Sequence, residues 1–132
     1  MGGESEAGGH MSKQRIDIEV KDEGDYRVLA PEGALDVYTS GSLREKLTEL
    51  AQAGSTNVVV DLDEVSFMDS SGLGVIMGGQ RRLREAGGEL ALKCTQEQHL
   101  SLLATGELPQ GTSIKDTVEE AAASLRESRS SS

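Results

Sequence analysis

The alternation of strand and helix patterns is the feature that most constrains the fold of this chain. Residues 58–62 read Val-Val-Val-Asp-Leu, and such a short run of mostly β-branched residues is typical of a central strand covered on both faces. The segments 39–53 and 75–85, on either side of it, place apolar residues at the spacing of an amphipathic helix. Strands and helices alternate in this way from residue 25 onward, which predicts an α/β domain with crossover helices on a mixed sheet.

A β-hairpin is predicted at the start of the fold. Residues 16–20 alternate apolar and polar side chains, and residues 26–30 follow a turn as a second strand that ends at Pro31 to Gly33. Further strands are predicted at 89–93 and 112–114, and further helices at 96–104 and 117–126. The prediction is therefore a mixed β-sheet of four to five strands with about four helices and an N-terminal hairpin.

The length of 132 residues fits one domain, which we place at residues 13–127. Residues 1–12 are rich in glycine and residues 128–132 are almost all serine. Neither segment has enough apolar residues to repay the entropy of ordering, so both are predicted to be disordered tails. The sequence Gly-His-Met at 9–11 resembles a cloning junction, and the first tail is then a cloning remnant.

The composition excludes several classes of protein. The chain has 13 Lys and Arg against 23 Asp and Glu, a formal net charge of −10, and such a surface repels nucleic-acid phosphates and anionic lipid. No stretch approaches the roughly 20 apolar residues of a membrane span, and the N-terminus lacks the pattern of a signal peptide. We therefore expect a cytoplasmic protein. Cys94 is the single cysteine and only two histidines are present, so a disulfide is excluded within the chain and a zinc site is not expected.

The segment 66–74, Ser-Phe-Met-Asp-Ser-Ser-Gly-Leu-Gly, carries the most information about function. Its simplest interpretation is a helix N-terminus, because Asp and Ser accept hydrogen bonds from first-turn amides. Gly72 and Gly74, and then the pair at 78–79, each cost about 1 kcal/mol relative to Ala in a helix. This cost indicates close approach by another helix, a ligand or a partner chain.

Several chemistries compete for this segment. Its glycine spacing is similar to a dinucleotide-binding turn, but Lys-Cys-Thr at 93–95 stands where an acid would hold the ribose. A serine hydrolase would need a G-x-S-x-G turn, and a Walker A loop would need Gly-Lys-Ser/Thr, and both motifs are absent. A phosphoacceptor serine is the third interpretation, because a helix N-terminus tolerates a phosphate and the added charge would act on whatever docks there.

The stretch 58–75 resembles the signature of the bacterial STAS-domain anti-sigma factor antagonists, in the sporulation and general-stress branch. Phe-Met-Asp-Ser-Ser-Gly-Leu-Gly-Val at 67–75 carries most of the resemblance. The segments Gly-Ala-Leu-Asp at 33–36, Gly-Gly-Glu-Leu at 87–90 and Val-Glu-Glu-Ala at 118–121 agree with the family's turn, strand start and closing helix, although Ala34 replaces the usual Glu. The resemblance covers residues 14 to 126 and implies a single STAS domain.

This resemblance implies a partner-switching cycle. The unphosphorylated antagonist binds an anti-sigma factor that is also a serine kinase of the GHKL type, and the sigma factor is released. The kinase then phosphorylates the antagonist, which dissociates, and a PP2C-type phosphatase resets it. Such a protein is not an enzyme and holds no cofactor, since ATP and Mg²⁺ belong to the kinase. We expect it to act as a monomer.

The resemblance also assigns residues. Ser70, the first hydroxyl after the Asp of the motif, is the phosphoacceptor. Asp36 maps to an acid beside it, Ser71 is expected to orient the first turn, and Asp69 to accept backbone N–H bonds or to contact the kinase. The residues expected to bind the partner are Asp36, Asp69, Ser71, Gly72, Leu73 and Gly74.

Within that set, Gly72 and Gly74 would let another backbone come close, and Leu73 is interpreted as an exposed apolar anchor rather than a core residue. Outside it, the basic cluster 81–84 is interpreted as a solvated helix face, and Cys94 as a packed small hydrophobe. The alternative function is a STAS interaction module of another signalling complex, or a STAS domain that senses a small ligand or nucleotide.

Overall fold

The computed structural model describes residues 15–54 and 56–130, so the predicted tail at 1–12 lies outside the described residues. Six strands and four helices lie within them. The strands are β1 (Asp17–Asp22), β2 (Arg27–Leu35), β3 (Asn57–Asp61), β4 (Val65–Met68), β5 (Glu89–Lys93) and β6 (Ser113–Lys115). The helices are α1 (Ser40–Gln52), α2 (Ser70–Glu85), α3 (Glu97–Thr105) and α4 (Val118–Ser130).

The strands form one mixed sheet in the order β1-β2-β3-β5-β6. The hairpin pair β1 and β2 is antiparallel, and the other pairs in this order are parallel. Each parallel step needs a crossover, which α1, α2 and α3 provide. The predicted α/β fold with an N-terminal hairpin is confirmed.

Strand β2 pairs with a different partner along each half of its length. Its first half, from Arg27 to Leu29, lies beside β3, and its second half, from Gly33 to Leu35, lies beside β4. The register shifts between Gly33 and Ala34, where Gly33 has a φ of +106° that only glycine adopts readily. Strand β2 therefore runs through the Pro31–Gly33 segment that was predicted to end it, and β4 is a strand that the sequence did not predict.

The sheet is buried on both faces at its centre. The side chains of β3 alternate between the two faces of the sheet. Val58 and Val60 face a large core formed with α1, α2 and α3. Val59 faces the other side, where it packs with Ala121 and Leu125 of α4. All three valines are fully buried. The prediction of a central strand covered on both faces is thus confirmed.

Two helix boundaries differ from the sequence prediction. Helix α2 begins at Ser70 rather than at 75, and helix α4 continues to Ser130. Residues 128–130, predicted as disordered tail, are therefore the last turn of a helix, and residues 131–132 lie outside the described residues. None of the helices in the described part of the chain is long and apolar enough to cross a membrane.

Candidate functional site

The candidate site lies at the edge of the sheet where β2 and β4 end. These strands are parallel neighbours with Leu35 opposite Met68, so the loops that follow them meet. The Asp69 amide donates a hydrogen bond to the Leu35 carbonyl at 3.3 Å and joins the two loops. In α/β domains the carboxyl ends of parallel strands are the usual place for a binding site.

Asp69 is the N-cap of α2. Its Oδ1 accepts hydrogen bonds from the Ser71 amide at 2.8 Å and from the Gly72 amide at 3.4 Å. This confirms its predicted role in holding the loop, and it explains why the helix begins five residues earlier than the apolar spacing indicated. Ser70 is the exposed first residue of the helix, whereas Ser71 is only half-exposed. Of the two hydroxyls, that of Ser70 is the more accessible to a partner.

Asp36 shapes the loop between β2 and α1. Its Oδ1 accepts hydrogen bonds from the amides of Tyr38 at 2.9 Å and Thr39 at 3.1 Å. The Thr39 hydroxyl in turn donates to the Ala34 carbonyl at 2.7 Å. The Asp36 side chain therefore holds the loop in place beside the one that carries Ser70, while its own carboxylate remains partly exposed.

Three large apolar side chains near the two loops are exposed, and we call them the apolar rim. Val37 is 63% exposed, Tyr38 is 57% exposed and Phe67 is 53% exposed. Among the described residues, the only other exposed large hydrophobic side chain is Val20 on β1, at 45%. None of the three was predicted as a site residue, although Val37 and Tyr38 stand outside the periodicity of both neighbouring elements, which is the signal that the sequence offers.

Leu73 is not part of this rim. It is only 6% exposed and belongs to the main core, where its Cδ2 atom lies so close to Gly106 that a Cβ at position 106 would stand 2.3 Å from it. The expectation that Leu73 is an exposed apolar anchor is wrong. The helical spacing that it shares with Ile76 and Leu83 places all three on the buried face of α2.

The glycines of α2 divide into two kinds. A Cβ at position 72 would lie 3.0 Å from the Leu35 carbonyl oxygen, and one at position 79 would lie 2.4 Å from the Leu47 Cδ1 atom of α1. Packing within the domain therefore requires both of these glycines. A Cβ at position 74 would meet nothing within 4 Å, so the fold does not require Gly74, which is exposed.

A shallow groove of about 350 Å³ runs between the starts of α1 and α2. Ser70 and Gly74 stand on its α2 side, and Gly41 and Arg44 stand on its α1 side, with Tyr38 at the loop end. Arg44 is the one charged residue among the described residues that line it. The groove thus brings together the predicted phosphoacceptor, the glycine that the fold does not need and one cation.

A second cluster lies at the same edge of the sheet, where β3 and β5 end. Lys93 Nζ is 2.7 Å from Asp63 Oδ2 and 3.7 Å from Asp61 Oδ1. Thr95 donates to both Asp63 oxygens, from its amide at 2.8 Å and from its hydroxyl at 3.1 Å. The side chains of Asp63 and Lys93 are only 13% and 22% exposed.

The protonation equilibria of this second cluster reflect those contacts. Burial acts to raise the pKa of Asp63, but the hydrogen bonds from Lys93 and Thr95 and the charge of Lys93 outweigh it, so the pKa is lowered. The hydrogen bond to Asp63 raises the pKa of Lys93, against the effect of burial. Both groups are therefore held in their charged forms, as expected for a structural ion pair.

Other residues singled out by the sequence have structural roles. Cys94 is 1% exposed and burial raises the pKa of its thiol, which confirms that it packs as a small hydrophobe. His99 is 2% exposed, with Nε2 2.7 Å from the Val65 carbonyl. In the basic cluster, Arg81 and Arg82 are exposed as predicted, whereas Arg84 pairs with Glu89 at 2.8 Å. Within the described residues, no group of His, Cys, Asp and Glu side chains could hold a metal ion.

Comparison with known proteins relates this chain to the STAS domain and to anti-sigma factor antagonists. The family model of the STAS domain matches residues 16–121. An anti-sigma-B factor antagonist of Bacillus subtilis (strain 168) is 36% identical over 110 residues, which are 83% of this chain and 94% of that protein.

Two solved structures share the fold. The Bacillus cell fate determinant SpoIIAA in its phosphorylated form has a TM-score of 0.65 and 23% identity, over 81% of this chain and 97% of that one. An anti-sigma-factor antagonist (STAS) domain protein from Planctomyces limnophilus has a TM-score of 0.71 and 21% identity, over 83% of this chain and 97% of that one.

Proposed function

Because the chain belongs to the STAS domain family, we propose that it is an anti-sigma factor antagonist controlled by phosphorylation of Ser70. In this proposal the unmodified protein binds an anti-sigma factor serine kinase of the GHKL type in the cytoplasm and so releases a sigma factor. The protein catalyses no reaction itself. Its similarity to the anti-sigma-B factor antagonist of Bacillus subtilis supports the general role.

The observation that carries the proposal is the position of Ser70. Ser70 is exposed as the first residue of α2, and it lines the open groove together with Val37 and Tyr38 of the apolar rim. In the proposed reaction the γ-phosphoryl group of ATP is transferred to Ser70 Oγ, which forms the ester bond, and ADP and the hydroxyl proton leave. A PP2C-type phosphatase hydrolyses that ester to restore the serine. One solved relative with this fold is a phosphorylated form, which supports the chemistry by analogy.

The electrostatic consequence follows from the neighbours of Ser70. A phosphate ester adds about −1.5 to −2 charge at neutral pH. It would stand next to the Asp69 carboxylate, in a chain whose net charge is already −10. A partner surface that packs on the apolar rim would have to bury or face that charge, and like charges brought together across an interface cost several kcal/mol. Phosphorylation is therefore proposed to release the kinase without unfolding the antagonist.

The first test is phosphate transfer. The kinase would be a GHKL-type anti-sigma factor captured by pull-down with this chain, incubated with radiolabelled ATP and with wild type, Ser70→Ala or Ser71→Ala. We expect label on wild type and on Ser71→Ala, and none on Ser70→Ala. Label on Ser70→Ala at the wild-type level would overturn the assignment of the phosphoacceptor.

The second test is binding, measured by titration calorimetry with the same kinase. Ser70→Glu is expected to weaken binding at least about thirtyfold, which corresponds to about 2 kcal/mol. Ser101→Glu is the matched control, because it adds the same charge at an exposed position of α3, away from the groove. Equal affinity of the two variants would contradict the electrostatic account.

A further inference from the structure

A phosphate on Ser70 would place a negative charge in the groove between α1 and α2. A phosphate at a helix N-terminus is usually stabilised by the free amides of the first turn. Here the Asp69 carboxylate already accepts hydrogen bonds from the Ser71 and Gly72 amides. The phosphoryl group would thus meet a neighbouring negative charge and amides that are already bonded. Another group must offset its charge if the phosphorylated form is to keep this geometry.

Arg44 is the residue placed to do so. It lines the groove across from Ser70, and its Nη1 atom lies 3.9 Å from where a Cβ on Gly41 would be, so the guanidinium reaches back over the first turn of α1 toward the groove. Among the described residues no hydrogen bond or ion pair engages the Arg44 side chain, in contrast to Arg84 and Lys93. Within residues 15–54 and 56–130, its donors are therefore not engaged by another side chain.

Resting on the proposed phosphorylation of Ser70, we propose that Arg44 binds the phosphoryl group of phosphoserine 70 within the same chain. A guanidinium offers two parallel N–H donors to phosphate oxygens, which gives a short, charge-assisted contact. The charged groups around the phosphate would then be Arg44 from α1, Asp69 at the start of α2 and Asp36 in the loop after β2. Among the described residues that line the groove, Arg44 supplies the positive charge, and none of the others is a cation.

This contact changes what phosphorylation does to the surface. The phosphate would bridge the groove from α2 to α1 and cover the space beside Gly74 and Tyr38 that is open in the unmodified chain. The phosphorylated form would then exclude a partner in two ways, by its charge and by filling the groove. Arg44 would also cease to be available to acidic groups of that partner.

The test places phosphoserine at position 70 during translation, so that it needs no kinase. The second pKa of the phosphoserine is about 6 when no charge acts on it, and it is measured by ³¹P NMR in wild type, Arg44→Gln and Arg81→Gln. Arg81 is the matched control, since it is exposed on α2, away from the groove, and its replacement removes the same net charge. We expect the pKa in Arg44→Gln to lie at least about 0.5 unit above that in the other two proteins, because a nearby cation favours the dianion.

Three results would overturn the inference: no shift in Arg44→Gln, an equal shift in Arg44→Gln and Arg81→Gln, or a shift that is accompanied by loss of the folded state. The thermal midpoint of the two unphosphorylated variants is measured to detect that last case, and we expect both to match wild type. The outcome is independent of the proposed function. If the kinase fails to label Ser70 but the pKa shift appears, the contact between Arg44 and the phosphate stands and the proposed phosphorylation switch does not. If the kinase labels Ser70 but no pKa shift appears, the switch stands and only the Arg44 contact is wrong.

Discussion

Two loop pairs lie side by side at the carboxyl edge of the same sheet, and they are built in opposite ways. The loops after β3 and β5 are tied together by the Asp63–Lys93 ion pair and by hydrogen bonds from Thr95 and Gln96 to the Asp63 residue. The loops after β2 and β4 are joined by the Asp69–Leu35 backbone bond and otherwise stabilise themselves, through the Asp36 and Asp69 carboxylates. We call the first the braced corner and the second the open corner.

The two corners use their polar groups differently. In the braced corner, cation and carboxylate are mostly buried and satisfy each other. In the open corner, Arg44 has no ion-pair partner among the described residues, the rim side chains are exposed, and Gly74 borders empty space. These exposed side chains are the surface that we propose a partner contacts. The ion pair that stabilises the domain thus lies in the braced corner, and the proposed partner contact lies in the open corner.

The largest effect that this comparison predicts is in the braced corner. Asp63→Ala would leave Lys93 without its 2.7 Å partner and remove two acceptors from Thr95. We expect a loss of about 2–3 kcal/mol in the free energy of unfolding, because breaking a mostly buried pair leaves Lys93 with only the longer 3.7 Å contact to Asp61. Urea denaturation measures it, with Arg15→Ala as control, since the Arg15–Glu45 pair is exposed and contributes little. Kinase affinity at a temperature where the variant is folded should not change, and a parallel fall in affinity would mean that the two corners are not separate.

The pH dependence of the same pair gives a second prediction. The folded-state pKa of Asp63 lies below its usual value of 3.8, so its stabilising effect is present above that value and is lost as the pH falls through the folded-state pKa. The folded-state pKa of Lys93 is raised above 10.5, so its effect is lost only as the pH rises through that raised value. We expect the stability difference between wild type and Asp63→Asn to be constant at neutral pH and to shrink below about pH 4. Urea denaturation at a series of pH values would show it, and a difference that does not decrease at all as the pH falls below about 4 would contradict the pairing.

In the open corner the corresponding prediction concerns binding. The double variant Tyr38→Ala, Phe67→Ala is expected to weaken kinase binding by about 2 kcal/mol, since exposed aromatic side chains are typical anchors of an interface. Its free energy of unfolding should change by less than about 0.5 kcal/mol, because neither side chain is in the core. Val20→Ala, on β1, is the control for removing exposed apolar surface. If the double variant binds as wild type does, the rim is not the contact surface.

Much of this organisation could be predicted from local sequence. The alternation at 16–20 and the β-branched run at 58–62 lie in β1 and β3, and the Asp-Ser-Ser segment gave the helix cap at Asp69. Strand β4 could not be predicted, because its four residues, Val-Ser-Phe-Met, pair with β2 only after the register shift at Gly33. That pairing depends on a residue more than thirty positions away, and no local pattern reports it.

Part of the candidate site could likewise be predicted from the sequence, and part depends on tertiary packing. Ser70, Asp36 and Asp69 could be placed near one another through the motif and its resemblance, and the structure brings their loops together. Leu73 lies in the core because its helical spacing puts it on the same face of α2 as Ile76 and Leu83, and this spacing is a better guide to its burial than the expectation of an apolar anchor. The side chains that are exposed come instead from the end of β4 and the loop after β2, where exposure depends on which strands cover the edge. Arg44 enters the groove only through the packing of α1 against α2.

The smallest predicted effect separates two glycines of one helix. Gly79 packs against Leu47 of α1, so Gly79→Ala should destabilise the domain because the added methyl group would force α1 and Leu47 to shift. Gly74 meets nothing, so Gly74→Ala should instead stabilise α2 by up to about 1 kcal/mol, the usual difference between the two residues in a helix. Thermal denaturation of both variants would measure the opposite signs. If Gly74→Ala is more stable and yet binds the kinase more weakly, the bare backbone at position 74 serves the partner. If it binds with unchanged affinity, the close approach to α2 occurs only at Gly72 and Gly79, where the domain packs against itself.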